Sequence, residues 1–134
     1  MPGTILIVDD NAIFRQTLWS YIERNTDWQV CGEAENGKVA VEQVEEMHPE
    51  VVILGLHLPI LDGLEAAGQI KKLAPNTTML MLTAHIGKRL LNNAQAAGIR
   101  NVLLTSDGIA EHLLACLKSL HIERGDLLSI ETSR

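Results

Sequence analysis

The chain has 134 residues, a formal net charge of −6 and two cysteines. That length suits one domain of the usual ~100–200 residues, and a hydrophobic content of 46% is that of a globular chain rather than a disordered one. The acidic balance argues against a domain that grips nucleic acid itself, because phosphate contacts need clustered Lys and Arg.

The first apolar run, Ile5-Leu6-Ile7-Val8, is preceded by Met1-Pro2-Gly3-Thr4, which shows no signal-peptide pattern. No run approaches the ~20 apolar residues of a membrane span, so a cytoplasmic protein without a membrane partner is expected. The run is continuous rather than alternating, as in a strand covered on both faces, and it stops at Asp9-Asp10. From Asn11 to about Arg24, Phe14, Leu18, Tyr21 and Ile22 fall at helix spacing. A second strand is expected over Trp28–Ala34, followed by the turn signal Asn36-Gly37. A helix with Ala40, Val44 and Met47 on one face ends at His48-Pro49, since proline disfavours helix in the residue before it.

Val51-Val52-Ile53-Leu54 reads as the most buried strand, and a loop from Gly55 to Leu61 follows. Asp62 is placed to cap the next helix, with Glu65 three residues on as in a capping box. That helix runs to about Leu73, and Pro75-Asn76 breaks the chain. Met79-Leu80-Met81-Leu82 forms a fourth strand ending at Thr83. The next helix is expected from about Ile86 to Ala97, with Ile86, Leu90 and Ala94 inward and Gly98 as its stop. Val102-Leu103-Leu104 is the fifth strand. Ser106 or Asp107 caps a last helix with Ile109, Leu113, Leu117 and Leu120 inward. Residues 1–120 then form one domain, and residues 121–134 read as a linker or tail. Cys31 and Cys116 lie in apolar patterns without CxxC or Cys/His spacing, so they read as small buried hydrophobes in a reducing compartment rather than metal ligands.

Five strands alternating with five helices imply a parallel sheet covered on both faces. Right-handed crossovers restrict it to a doubly wound α/β fold, here flavodoxin-like, (βα)5, with strand order 2-1-3-4-5. Sites in such sheets lie at the carboxyl ends of the strands. That rule selects Asp9 and Asp10, Gly55, Thr83 and Thr105. Adjacent acids at a strand end suit a hard cation such as Mg²⁺, or they simply start the first helix as capping groups. A glycine-rich dinucleotide turn, a P-loop, a GxSxG elbow and an HExxH pair are all absent from the sequence.

Taken in order, several stretches resemble the receiver domain of bacterial two-component response regulators over roughly residues 4–120. They are Ile5 to Asp10, Val30 to Gly37, Pro49 to Gly63 with its Leu58-Pro59 and Leu61-Asp62-Gly63, Leu82-Thr83-Ala84 and Ala97-Gly98. The second strand and its turn look most like the LuxR/NarL branch. The resemblance implies an acidic pair holding Mg²⁺, at Asp9 and Asp10, and a switch hydroxyl, at Thr83. It also implies a phosphoacceptor aspartate, a lysine and a rotating aromatic, whose positions fall on Gly55, Thr105 and Val102.

A nucleophilic carboxylate, a cationic clamp and an aromatic switch are therefore all replaced. The expected protein is a degenerate receiver in a phosphorelay-type pathway. It is not an enzyme, and it works without phosphorylation through a protein partner: a histidine kinase, an output domain or a second copy. Nucleic acid would be reached only through a domain not present here. Mg²⁺ would bind weakly or not at all, and Asp9 and Asp10, lacking a cation, would raise one pKa. His57 is a loop histidine that could replace the acceptor, though an ordinary exposed residue is the simpler reading. Two alternatives remain. One is an ordinary phospho-accepting receiver whose native residue 55 is Asp. The other is the regulatory part of a LuxR-type DNA-binding factor.

Overall fold

In the computed structural model, residues 3–106 and 108–121 are described. The elements run β1 (Thr4–Val8), α1 (Ala12–Asn25), β2 (Gln29–Ala34), α2 (Gly37–Met47), β3 (Val51–Gly55), α3 (Gly63–Leu73), β4 (Thr78–Thr83), α4 (Lys88–Ala96), β5 (Asn101–Leu104) and α5 (Ile109–His121). All strand pairings are parallel, in the order β2-β1-β3-β4-β5, as the alternation of runs predicted.

Alternate residues of each strand point to opposite faces, and two cores result. Leu6, Val8, Val52, Leu54, Met79 and Met81 pack with Ala40 and Val44 of α2, Ala66, Ala67 and Ile70 of α3, and Ala94 of α4. Ile5, Ile7, Val51, Ile53, Leu80 and Leu82 pack with Leu18 and Ile22 of α1 and Leu113, Leu117 and Leu120 of α5. The sheet is thus a middle layer, with three helices on one side and two on the other. Trp28 closes the second core from its edge. It is 2% exposed, and its indole N–H donates to the Leu117 carbonyl across 89 residues of chain at 3.2 Å.

Helix starts follow local chemistry. Asn11, Asn36 and Asp62 cap α1, α2 and α3, their side chains accepting from the amides of Phe14, Val39 and Glu65. His48 ends α2 in the left-handed conformation, φ 50°, and Gly98 with φ +87° follows α4.

Two inward residues are corrected. Ile86 is 42% exposed because α4 begins only at Lys88 with Gly87 as its cap, which leaves Ile86 in the preceding loop. Met47 is 39% exposed. Sitting on the last turn of α2, it reaches only the Gly32 edge of β2, where its Sδ would lie 3.0 Å from a Cβ added at Gly32. The expected cap Asp107 and residues 122–134 of the expected tail lie outside the described residues; His121 belongs to α5.

Candidate functional site

The carboxyl ends of β1, β3, β4 and β5 gather the residues singled out from the sequence. Asp9 leaves β1 with its amide donating to the Ala34 carbonyl at 3.0 Å. Its Oδ1 accepts the Asn11 amide at 2.8 Å, and Asn11 in turn accepts the Phe14 amide at 3.0 Å. The residue that caps α1 is therefore Asn11, and neither acid does so. Asp9 instead fixes the turn that precedes the cap, as Asp side chains do by bonding the backbone two residues on. Asp10 is exposed.

The carboxyl of Asp9 is pushed above the ordinary carboxylate range. Burial is the largest cause, opposed by the Asn11 amide, with repulsion from Asp10 third. The expected pressure from the neighbouring acid is present, but desolvation outweighs it. Since the folded-state value lies above the unfolded one, the folded chain holds this proton to higher pH. Ionising Asp9 therefore lowers stability as pH rises through and beyond the ordinary carboxylate range. Replacing Asp9→Asn keeps an acceptor for the Asn11 amide and removes the charge. The melting temperature is expected to rise at neutral pH, and the gain to vanish once pH falls below the ordinary carboxylate values, as thermal melts over a pH series would show.

A contact that the sequence did not reveal also holds this turn. Arg15, on α1, donates from Nη1 to the main-chain oxygen of Asp9 and from Nε to Glu33 Oε1 on β2. The Arg15–Glu33 ion pair is largely shielded, with side chains 12% and 34% exposed. The available signal was an arginine one turn into the first helix and a glutamate in the neighbouring strand.

Gly55 is the last residue of β3, buried and paired with Leu82 of β4. A Cβ placed on it would stand 3.2 Å from Asp9 Oδ2, with Leu58 Cδ2 at 3.8 Å and the Val8 carbonyl at 3.9 Å. The side-chain direction at position 55 thus faces the acid turn. The loop beyond it carries exposed His57 and an Ile60 with φ 70°. The Leu61 amide donates back to the Pro59 carbonyl at 2.7 Å, a γ-turn, which is a strained conformation for a β-branched residue. Gly63 then begins α3 against the end of β3, its amide donating to Leu56 O at 2.8 Å.

Thr83, at the end of β4, is 5% exposed. Its hydroxyl donates to the His85 carbonyl at 3.1 Å and accepts the His85 amide at 3.4 Å, so it is engaged with its own loop. Thr105 is exposed and continues the ladder beside it, donating its amide to Thr83 O at 2.7 Å. Val102 pairs with Met81 and packs half-buried on the α2–α3–α4 core. Asp9 and position 55 are therefore in contact range, Thr83 and Thr105 are backbone neighbours, and Asp10 and His57 face solvent. Among the described residues, no three His, Cys, Asp or Glu side chains cluster to hold a metal ion; Asp9 and Asp10 are the two carboxylates at the turn, and the position facing Asp9 Oδ2 is Gly55, which adds no third. No described helix is long and apolar enough to cross a membrane.

Comparison with known proteins identifies the family of the chain. Residues 5–114 match the family model of the response regulator receiver domain. The response regulator protein VraR of Staphylococcus saprophyticus is 32% identical over 123 residues, covering 92% of this chain and 59% of that protein. The transcriptional regulatory protein YdfI of Bacillus subtilis is 38% identical over 100 residues, covering 75% and 46%. The chain spans about half the length of these curated relatives. Among solved structures, a LuxR-family two-component response regulator from Aurantimonas sp. aligns with a TM-score of 0.82 at 27% identity, covering 90% of this chain and 85% of that one. The response regulator domain of Thermotoga maritima CheB aligns at 0.81 and 29%, covering 89% and 96%. With the sheet order and the family match in agreement, the chain belongs to the response regulator receiver domain family, a family of signalling domains, and its relatives include LuxR-type regulators.

Proposed function

We propose that this chain is a phosphorylation-independent receiver, a two-component signalling module that acts by binding protein partners rather than by accepting a phosphoryl group. The observation that carries this reading is Gly55. The side-chain direction at the end of β3 faces Asp9, and the residue there has no atom that could form an acyl phosphate. The replacements at Thr105 and Val102 point the same way, because an uncharged hydroxyl supplies no cation for transferring charge and a small aliphatic supplies no rotating ring. Thr83, already bonded to its own loop, is occupied without a ligand.

Under this reading the chain is not an enzyme. It works in the cytoplasm, with the domain ending at His121, the last residue of α5, and residues 122–134 as a link or tail. Receiver domains work with histidine kinases and output domains, so a histidine kinase, an output domain or a second copy is the partner. Nucleic acid enters only through a further domain, as in the regulatory part of a LuxR-type factor, a role that the greater length of the relatives supports.

One observation favours a second reading, an ordinary receiver whose native residue 55 is Asp. The nearest atom to a Cβ at that position is a carboxylate oxygen that can move, not backbone, so the pocket has room for the acceptor.

Intact mass after incubation with Mg²⁺ and a small-molecule phosphodonor tests the proposal, with Gly55→Asp alongside. The native chain is expected to gain no phosphoryl group. An adduct on the native chain would defeat the proposal and make His57 the first residue to replace. Fast uptake by Gly55→Asp would show that the pocket works without a lysine and favour the second reading.

A further inference from the structure

We infer that the acid turn of this domain is held by its own side chains and binds no divalent cation. The inference deepens the reading above, but it concerns the donors around Asp9 rather than the missing acceptor, and the two can fail separately.

A hard cation at this turn needs oxygen donors with free lone pairs and a net negative surrounding. Two of the donors nearest to hand already carry a partner. Asp9 Oδ1 holds the Asn11 amide at 2.8 Å. The main-chain oxygen of Asp9 holds the guanidinium of Arg15, itself fixed by Glu33. The Arg15 charge also acts on the Asp9 carboxyl, so a positive charge already bears on the carboxylate that a dication would have to use. A third carboxylate is missing, since the direction that points at Asp9 Oδ2 belongs to Gly55. Mg²⁺ can be held by one or two carboxylates when a substrate phosphate completes its shell, and it gives up water reluctantly otherwise. With no acceptor at position 55, no phosphoryl oxygen is delivered to complete it. The Arg15–Glu33 pair ties α1 and β2 to the main chain of the acid turn without a cation.

The test titrates MgCl2 and MnCl2 into the whole chain by calorimetry, with Mn²⁺-induced broadening of the Asn11 and Leu56 amide signals as a second readout. The native chain is expected to show no saturable binding tighter than about 1 mM, the weak end for hard-cation modules, and no selective broadening. Gly55→Asp restores the third carboxylate and should bind Mg²⁺ ~10-fold or more tightly than the native chain, because affinity follows ligand charge count. Gly55→Asn fills the same space without charge and should behave as the native chain does. Native binding at or below about 1 mM with local broadening would overturn the inference, as would the absence of any gain in a folded Gly55→Asp. Neither result would bear on whether the native chain accepts a phosphoryl group, which the mass measurement decides.

Discussion

Alanine at Gly63 is expected to lower the stability of the domain by about 3 kcal/mol, the upper part of the range for over-packing. A Cβ there would stand 2.2 Å from the Gly55 carbonyl oxygen and 3.0 Å from Leu56 Cα. Both are backbone atoms that cannot rotate aside. Relief requires α3 to move off the end of β3, and with it the Gly63 amide that bonds Leu56 O. Gly37 behaves alike, since its Cβ would lie 1.9 Å from the Leu61 carbonyl. The loop after β3 is thus gripped between the first residues of two helices, and only hydrogen fits at both contacts. Gly68, in the same helix as Gly63, meets nothing within 4 Å. There alanine should stabilise by about 0.5–1 kcal/mol through helix propensity alone. Chemical denaturation of the two variants should therefore move the midpoint in opposite directions. Equal behaviour of Gly63→Ala and Gly68→Ala would show that the close approach does not constrain the fold.

Removing the indole at Trp28 should have the second large effect, about 3–5 kcal/mol for Trp28→Ala and a fall of ~10–20 °C in melting temperature for a domain of this size. Trp28 is buried at the edge of the core formed by α1 and α5, and the space beside its ring is so tight that a Cβ on Gly3 would lie 2.1 Å from it. Trp28→Phe separates packing from bonding. It keeps most of the ring and loses the donor to Leu117 O, so about 1 kcal/mol should be lost. Hydrogen exchange should locate that smaller loss in the last turns of α5. If Trp28→Phe were as damaging as Trp28→Ala, shape rather than area would govern this corner.

The architecture was legible because the strands announce themselves. Runs such as Val51 to Leu54 are apolar without alternation, which only a strand covered on both faces tolerates, and right-handed crossovers leave little choice of order. The cap at Asp62 and the stop at Gly98 were legible for the same local reason. Ile86 was misplaced because helix periodicity continues to score one residue pair before a glycine cap, while the backbone starts its hydrogen bonds only at Lys88. In the candidate site, the positions of Asp9, Gly55, Thr83 and Thr105 followed from strand ends. The Arg15–Glu33 brace did not, because it joins a helix to a strand 18 residues away, a separation that no local pattern encodes. The contacts of Gly37 and Gly63 were hidden likewise, since a glycine in sequence signals a turn or cap but not what lies against it.

The two cores also differ in when a growing chain can complete them. Every buried member of the core under α2, α3 and α4 has been synthesised once Ile99 is made. The opposite core waits for Leu113, Leu117 and Leu120 of α5. As the domain emerges from the ribosome, Ile5, Ile7, Val51, Ile53, Leu80 and Leu82 form a strip that α1 and Trp28 cover only in part until α5 arrives. Nascent chains expose such surface to aggregation and chaperones. A message cut short before Leu113 would thus yield a half-roofed sheet, a substrate for quality control rather than a smaller signalling domain.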